Sequence, residues 1–243
     1  MNYPTIEELL TAGVHFGHLS SRWNPKMKPF IFTTRNKIHV INLERTLEKL
    51  REALDFVKGL ASRGSTILFI GTKRQAKDEV KKAALSCGMP YVTIRWLGGT
   101  FTNYKTIQKT IKKLEKLQKM AVSPDFEVKY IKKERLLMQR EIQKLENLFD
   151  GIKAMKKLPE AIFVVDVNHD KIAVKEAKKM GIKVVGLVDT NSDILDIDYP
   201  VPSNDDAIKA ISLMASLFAQ GINEGKSQIS AEVPAVSHNG GKD

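Results

Sequence analysis

Residues Lys105 to Lys157 read KTIQKTIKKLEKLQKM, AVSPDFEVKY, IKKERLLMQREIQKLENLFDGIKAMKK. Apolar side chains fall at Ile107, Ile111, Leu114 and Leu117, and return at Ile131, Met138, Ile142, Leu145 and Phe149. Steps of three, four and seven put one apolar stripe on each of two helices. The interruption, Ala121 to Val128, holds Pro124 and Asp125, which suit a turn. Two striped helices joined by a short turn predict an antiparallel helical hairpin, a coiled coil. The stretch carries 15 Lys/Arg against 7 Asp/Glu, most of the net +11 of the chain. Balanced Glu/Lys pairs would serve solubility equally well, so the surplus points to a polyanion.

Outward from the hairpin the pattern changes to alternating strand and helix. On its amino-terminal side, Thr66–Ile70 reads as a buried strand. Gly71-Thr72-Lys73-Arg74 then turns into a helix through Leu85, stopped by Gly88 and Pro90, and Tyr91–Ile94 is the next strand. On its carboxyl side come strand Ala161–Val165, a helix over 171–180 and strand Lys183–Val188. Tyr199–Pro202 fits an edge strand, because proline is poor in a central one. This predicts an α/β fold: a doubly wound parallel sheet of about five strands, helices on both faces, and the hairpin as an insertion.

Before the sheet, Thr5 caps a short helix ending at Gly13. Residues 19–37 read as loop and hairpin, Ile38–Ile41 as a short strand, and Asn42 as the cap of a long helix with Leu43, Leu47, Leu50, Leu54 and Val57 on one face. Asn204 or Asp205 caps a final helix. From Gly225 the chain turns polar and Gly/Ser-rich. The expected division is a discontinuous α/β domain (1–104 and 158–225), the hairpin (105–157) and a flexible tail (226–243).

A chain of 243 residues with 42% hydrophobic residues can bury a sizeable core. Charge is unevenly placed: residues 1–157 hold 31 basic and 15 acidic side chains, residues 158–243 hold 8 and 13. The first part fits nucleic acid, and the second can face a protein. A single cysteine, Cys87, permits no internal disulfide and fits a small buried residue in a reducing compartment. The opening Met1-Asn2-Tyr3-Pro4 shows no signal-peptide pattern, and no apolar run approaches the length of a membrane span.

Gly71-Thr72-Lys73 lies between a strand and a helix but lacks the four-residue spacing of a Walker loop, so contact with a nucleic-acid phosphate is the better use of it. His15 and His18, three apart, have no Cys cluster or acidic partner in sequence, and no metal or cofactor is expected. Asp166, Asp170, Asp189, Asp193, Asp196 and Asp198 fit capping and turns as well as chemistry. Arg22-Trp23-Asn24-Pro25-Lys26-Met27-Lys28 and Arg95-Trp96 pair cations with an indole, and Arg22 to Lys37 holds five basic residues and no acid. Cations neutralise phosphates and an aromatic ring stacks on a base; for Trp96, beside Leu97, core packing is equally compatible. The alternative is an α/β enzyme acting on a phosphorylated small molecule through Lys73 and Asp189.

Taken in order, Gly13-Val14-His15-Phe16-Gly17-His18, Arg22 to Met27, Ile38 to Leu43, Gly71 to Ala76, Arg95-Trp96-Leu97-Gly98-Gly99-Thr100-Phe101-Thr102-Asn103, Asp189-Thr190-Asn191 and Asn204-Asp205-Asp206-Ala207 resemble the bacterial and organellar family of small-subunit ribosomal protein two, over about residues 5–225. The resemblance implies a non-enzymatic constituent of the small ribosomal subunit, in the cytoplasm or an organelle. It implies binding to ribosomal RNA between head and body, contact with other small-subunit proteins and support for docking of ribosomal protein one. A membrane partner is not expected, because the hairpin's apolar residues are needed to hold its two helices together. The expected RNA-facing residues are His18, Arg22, Trp23, Lys26, Lys28, Arg35, Lys37, Lys73, Arg74, Arg95, Trp96, Asn103, Lys105, Lys109, Lys112 and Lys113. Lys and Arg would position phosphates, with Asn103 and His18 on sugar or base edges.

Overall fold

A computed structural model describes residues 3–232. Helix α1 (Ile6–Thr11) starts at Thr5, whose hydroxyl accepts from the Glu8 amide while the Glu8 carboxylate accepts from the Thr5 amide. This reciprocal cap satisfies two otherwise orphaned donors. Strands β1 (Phe16–Leu19), β2 (Ile31–Arg35) and β3 (Ile38–Ile41) form an antiparallel sheet ordered β1-β3-β2. The β2–β3 turn places Asn36 and Lys37 at φ +50° and +64°, the left-handed pair that a two-residue hairpin demands. Asn42 caps α2 (Leu43–Ala61) by accepting from the amides of Glu44 and Arg45.

The main sheet contains β4 (Ile67–Ile70), β5 (Tyr91–Val92), β6 (Ala161–Val165), β7 (Lys183–Val188) and β8 (Tyr199–Pro202) in the order β5-β4-β6-β7-β8, every pair parallel. This is the doubly wound sheet expected, with chain direction across the sheet reversing between β4 and β6. Alternate side chains enter two cores. Ile67, Phe69, Phe163, Val185 and Val201 pack under α2, α3 (Lys77–Ser86) and α8 (Ile208–Glu232). Leu68, Ile70, Ile162, Val164 and Val184 pack under α7 (Lys171–Lys179), Trp96 and Phe101. Phe163 joins sheet to helix, its ring 5.2 Å from Phe69 and 4.4 Å from Phe218.

Strand β8 lies at the sheet edge, as its prolines require. The Ser203 amide donates to the Val188 carbonyl, so the odd-numbered residues of β8 turn toward β7. Pro200 and Pro202 then face outward, and the Pro202 carbonyl accepts from the Thr46 hydroxyl at 2.8 Å.

Between β5 and β6 run α4 (Tyr104–Ala121), the short α5 (Phe126–Lys129) and α6 (Lys132–Phe149). The Tyr104 hydroxyl donates to the Met155 carbonyl and the Gln108 amide to the Lys156 carbonyl, so the chain returns to where α4 began. Ile107, Ile111, Leu114 and Phe149 are buried in the second core. Ile131 is 66% exposed; it is the N-cap of α6, outside the stripe predicted for it.

One boundary differs from expectation. Helix α8 does not stop near Gly225 but continues to Glu232. A Cβ at Gly225 would lie 2.4 Å from the Lys58 carbonyl oxygen and 2.8 Å from the Ala61 Cβ. Here glycine serves the close crossing of α8 over α2 and is not a helix stop. Gly225→Ala is therefore expected to destabilise the protein by about 2 kcal/mol through overpacking against backbone, read as a lowered midpoint in urea. The remainder of the predicted tail, 233–243, lies outside the described residues.

Candidate nucleic-acid interface

In a doubly wound sheet, loops at the carboxyl ends of strands converge where the strand order reverses. Here they bring together Lys73 after β4, Asp166 after β6, Asp189 after β7, and Asp205 and Asp206 after β8. Lys73 Nζ lies 2.7 Å from Asp205, 2.7 Å from Asp206 and 3.0 Å from Asp166. The Thr72 amide and hydroxyl both donate to Asp170. Asp166 holds a left-handed backbone, φ +64°, while its Oδ1 accepts from the amides of Asn168 and His169. His18, reaching in from β1, sets Nδ1 3.0 Å from Asp189 and Nε2 3.4 Å from Asp206. The acidic partners that the local sequence around His18 lacks are thus supplied from across the fold.

Carboxylates outnumber cations in this cluster. Burial alone would lower the Lys73 pKa, but hydrogen bonds to Asp205 and Asp206 raise it above the usual lysine range. The Asp189 hydrogen bond raises His18, favouring its charged form. Asp205 is fully buried, and burial with the nearby charges of Asp166 and Asp189 pushes its carboxyl up to about 7. Among the described residues Asp205 Oδ2 has no hydrogen-bond partner, and ligand atoms of His18, Asp189 and Asp205 lie within 4.8 Å of one another. The chemistry of this centre suits a cation, not an anion. A phosphate entering it would meet Asp166, Asp205 and Asp206, which argues against a phosphometabolite site on Lys73 and Asp189.

The folded state keeps the Asp205 proton up to about pH 7, whereas an unfolded aspartate releases it near about pH 4. Between these values the folded state binds more protons, so the group's contribution to stability falls as pH rises. Asp205→Asn cannot ionise and can retain an oxygen acceptor for Lys73. Its stability relative to wild type is expected to rise by about 4 kcal/mol from about pH 4 to about pH 8, followed by urea unfolding in the absence of added metal. A pH-independent difference would remove this account.

The other predicted residues divide by placement. Arg22, Lys28, Arg35, Lys37, Arg74, Arg95, Lys105, Lys109 and Lys112 are exposed. Lys26 is exposed but pairs with Asp193 at 2.9 Å, and Lys113 with Glu141. Such exposed pairs are weak and exchange readily for another anion. Trp23 is 37% exposed and tilts against the buried His39. Asn103 is exposed and accepts from the Thr106 hydroxyl.

Trp96 lies inside, 7% exposed, edge-on to Phe101, its indole N–H donating to Glu176. Neither Trp96 nor Lys73 therefore presents itself at the surface as a stacking plate or an unpaired cation. Glu176 was not singled out from the sequence. Its carboxylate also accepts from the amides of Gly99, Phe101 and Thr102, and so fixes the loop between β5 and α4. The available signal was a carboxylate three residues from Ala173 on the apolar side of α7.

Arg95-Trp96-Leu97-Gly98-Gly99-Thr100-Phe101-Thr102-Asn103 is thus one hydrogen-bonded unit, closed by Glu176 and carrying exposed Arg95 at one end and α4 at the other. Residues 9–225 match the family model of ribosomal protein S2, nearly the whole described chain, and this protein belongs to the ribosomal protein S2 family.

Proposed function

We propose that the chain binds ribosomal RNA as a structural constituent of the small subunit, between head and body. In this reading α4 and α6 form the inserted coiled-coil hairpin, which extends a basic surface continuous with Arg22–Lys37, Arg74 and Arg95. Members of the family are structural ribosomal proteins and not enzymes. The observation that carries the RNA assignment is the one-sided charge: 15 basic against 7 acidic residues in 105–157, and no acid between Arg22 and Lys37. Lysines and arginines displayed in this way neutralise phosphates and release counterions. The acid-rich region after β7 and β8 suits a protein neighbour, and we assign to it support for the docking of ribosomal protein one. The location that follows is the ribosome, in the cytoplasm or in an organelle's stroma or matrix.

The test is sedimentation of the tagged protein from growing cells through sucrose gradients at low and high salt. Migration with small subunits and whole ribosomes, weakened by salt, is expected. Protein confined to the top of the low-salt gradient would overturn the reading.

A further inference from the structure

At the opposite end of the strands from the aspartate cluster, at the amino-terminal ends of β4 and β5, a cavity of about 570 Å³ opens at the root of the α4–α6 pair. That volume lies within the range of small-ligand sites, about 300–1,000 Å³. Its apolar lining comes from Leu85, Met89, Pro90, Tyr91 and Met155. Leu85 is 60% exposed, an unusual placement for a leucine with a cavity beside it. Around the lining stand Lys156, Lys157 and Lys226, with the carboxylate of Asp150 in the lining and that of Glu160 beside Lys157 and Thr66.

The polar groups of the rim are partly engaged. Lys226 donates to the Cys87 carbonyl and Lys157 to Glu160. Asp150 accepts from the Tyr91 hydroxyl at 3.3 Å. Each of these ammonium groups has further N–H donors, because an ammonium carries three. The Lys156 side chain has no ion-pair partner among the described residues, and the Ser65 hydroxyl, also lining the cavity, makes no side-chain hydrogen bond among them.

The Tyr91 ring packs against Gly151 and has Lys81 5.6 Å from its centroid. The slot thus offers an apolar floor of Leu85, Met89, Pro90 and Met155 with cations around it and a hydroxyl inside, which matches a nucleotide's flat base and charged phosphates. The cavity adjoins the base of α4, whose Gln108 donates to the Lys156 carbonyl. We propose that it receives one unstacked base of the bound RNA, with the adjoining phosphates against Lys156, Lys157 and Lys226. The proposal rests on the RNA-binding reading above and specifies one contact within it. An acidic protein segment is the competing occupant, and the basic α4 beside the cavity favours RNA.

Two changes to the full-length protein test it, with small-subunit ribosomal RNA as the probe. Ala154 is exposed and lines the cavity, so Ala154→Trp fills it from the mouth. Affinity should fall roughly tenfold with the salt dependence unchanged, because a base contact is lost and no phosphate contact. Lys156→Ala with Lys226→Ala should instead flatten the dependence of log K on log salt by about 2. Wild-type affinity in Ala154→Trp would overturn the cavity proposal and leave RNA binding intact. Failure of the wild type to bind would remove both. A photo-crosslinker at position 154 in assembled subunits should capture RNA; capture of protein alone would give the cavity to the acidic segment instead.

Discussion

Glu176→Ala is expected to lower the free energy of unfolding by about 4 kcal/mol, because three backbone amides and an indole lose a buried charged acceptor. Glu176 is 8% exposed, and its carboxylate accepts from Trp96 Nε1 and from the Gly99, Phe101 and Thr102 amides, the shortest at 2.7 Å. Truncation leaves these donors without their acceptor at a buried position. Glu176→Gln is the informative comparison. Gln keeps one acceptor oxygen but turns an NH2 toward amides that already donate, so the loss should be about half as large. Burial alone would raise the Glu176 pKa, but the backbone amides of Gly99, Phe101 and Thr102, with Trp96, pull it below the usual range. A depressed folded pKa contributes stability that is present above the unfolded value and lost as pH falls through the folded one. The gap between wild type and Glu176→Ala should therefore narrow in acid. Urea unfolding at neutral pH and below about pH 4 measures both parts. A difference that stays constant with pH would mean that side-chain volume, and not the ionised carboxylate, holds the loop.

Replacing Lys105, Lys109 and Lys112 together by Ala should weaken binding to small-subunit RNA roughly a hundredfold near about 0.15 M salt. The three stand four and three residues apart on one face of α4, exposed and without ion-pair partners among the described residues. Each phosphate contact removed should lower the slope of log K against log salt by about 0.9, so the triple variant should lose about 2.7. The helix itself should survive, because Ala is the best helix former and the buried face, Ile107, Ile111 and Leu114, is untouched. Filter binding across a salt series, with circular dichroism as the control for folding, gives the answer. An unchanged slope would show that this face of α4 points away from RNA.

Strands that carried their own burial signal were legible in the sequence. Ala161–Val165, Lys183–Val188 and Tyr199–Pro202 occupy the predicted residues, because strands covered on both faces read as apolar runs and proline marks an edge. Strand β1 had no such signal. Phe16-Gly17-His18-Leu19 lies partly in solvent and is held by pairing with β3 and by the His18 amide donating to Thr190, contacts made far along the chain. The tail boundary at 226 misled because a polar, Gly/Ser-rich composition reads as disorder, whereas α8 continues to Glu232 and Gly225 admits α2 beside it. In the candidate site, charge and exposure at Arg22, Arg35 and Lys105 were readable from composition. The commitment of Lys73 to three aspartates was not, since they arrive from two other strand ends. Glu176 was hidden for the same reason: its partners lie about 75 residues away.

The outer rim of β8 has a consequence for the protein before it meets its partners. Pro200 and Pro202 offer no N–H on that side, and the Pro202 carbonyl is already taken by Thr46. A second sheet approaching this border finds neither donors nor that acceptor with which to continue the ladder. Newly made chains at high local concentration therefore have no template there for open-ended stacking.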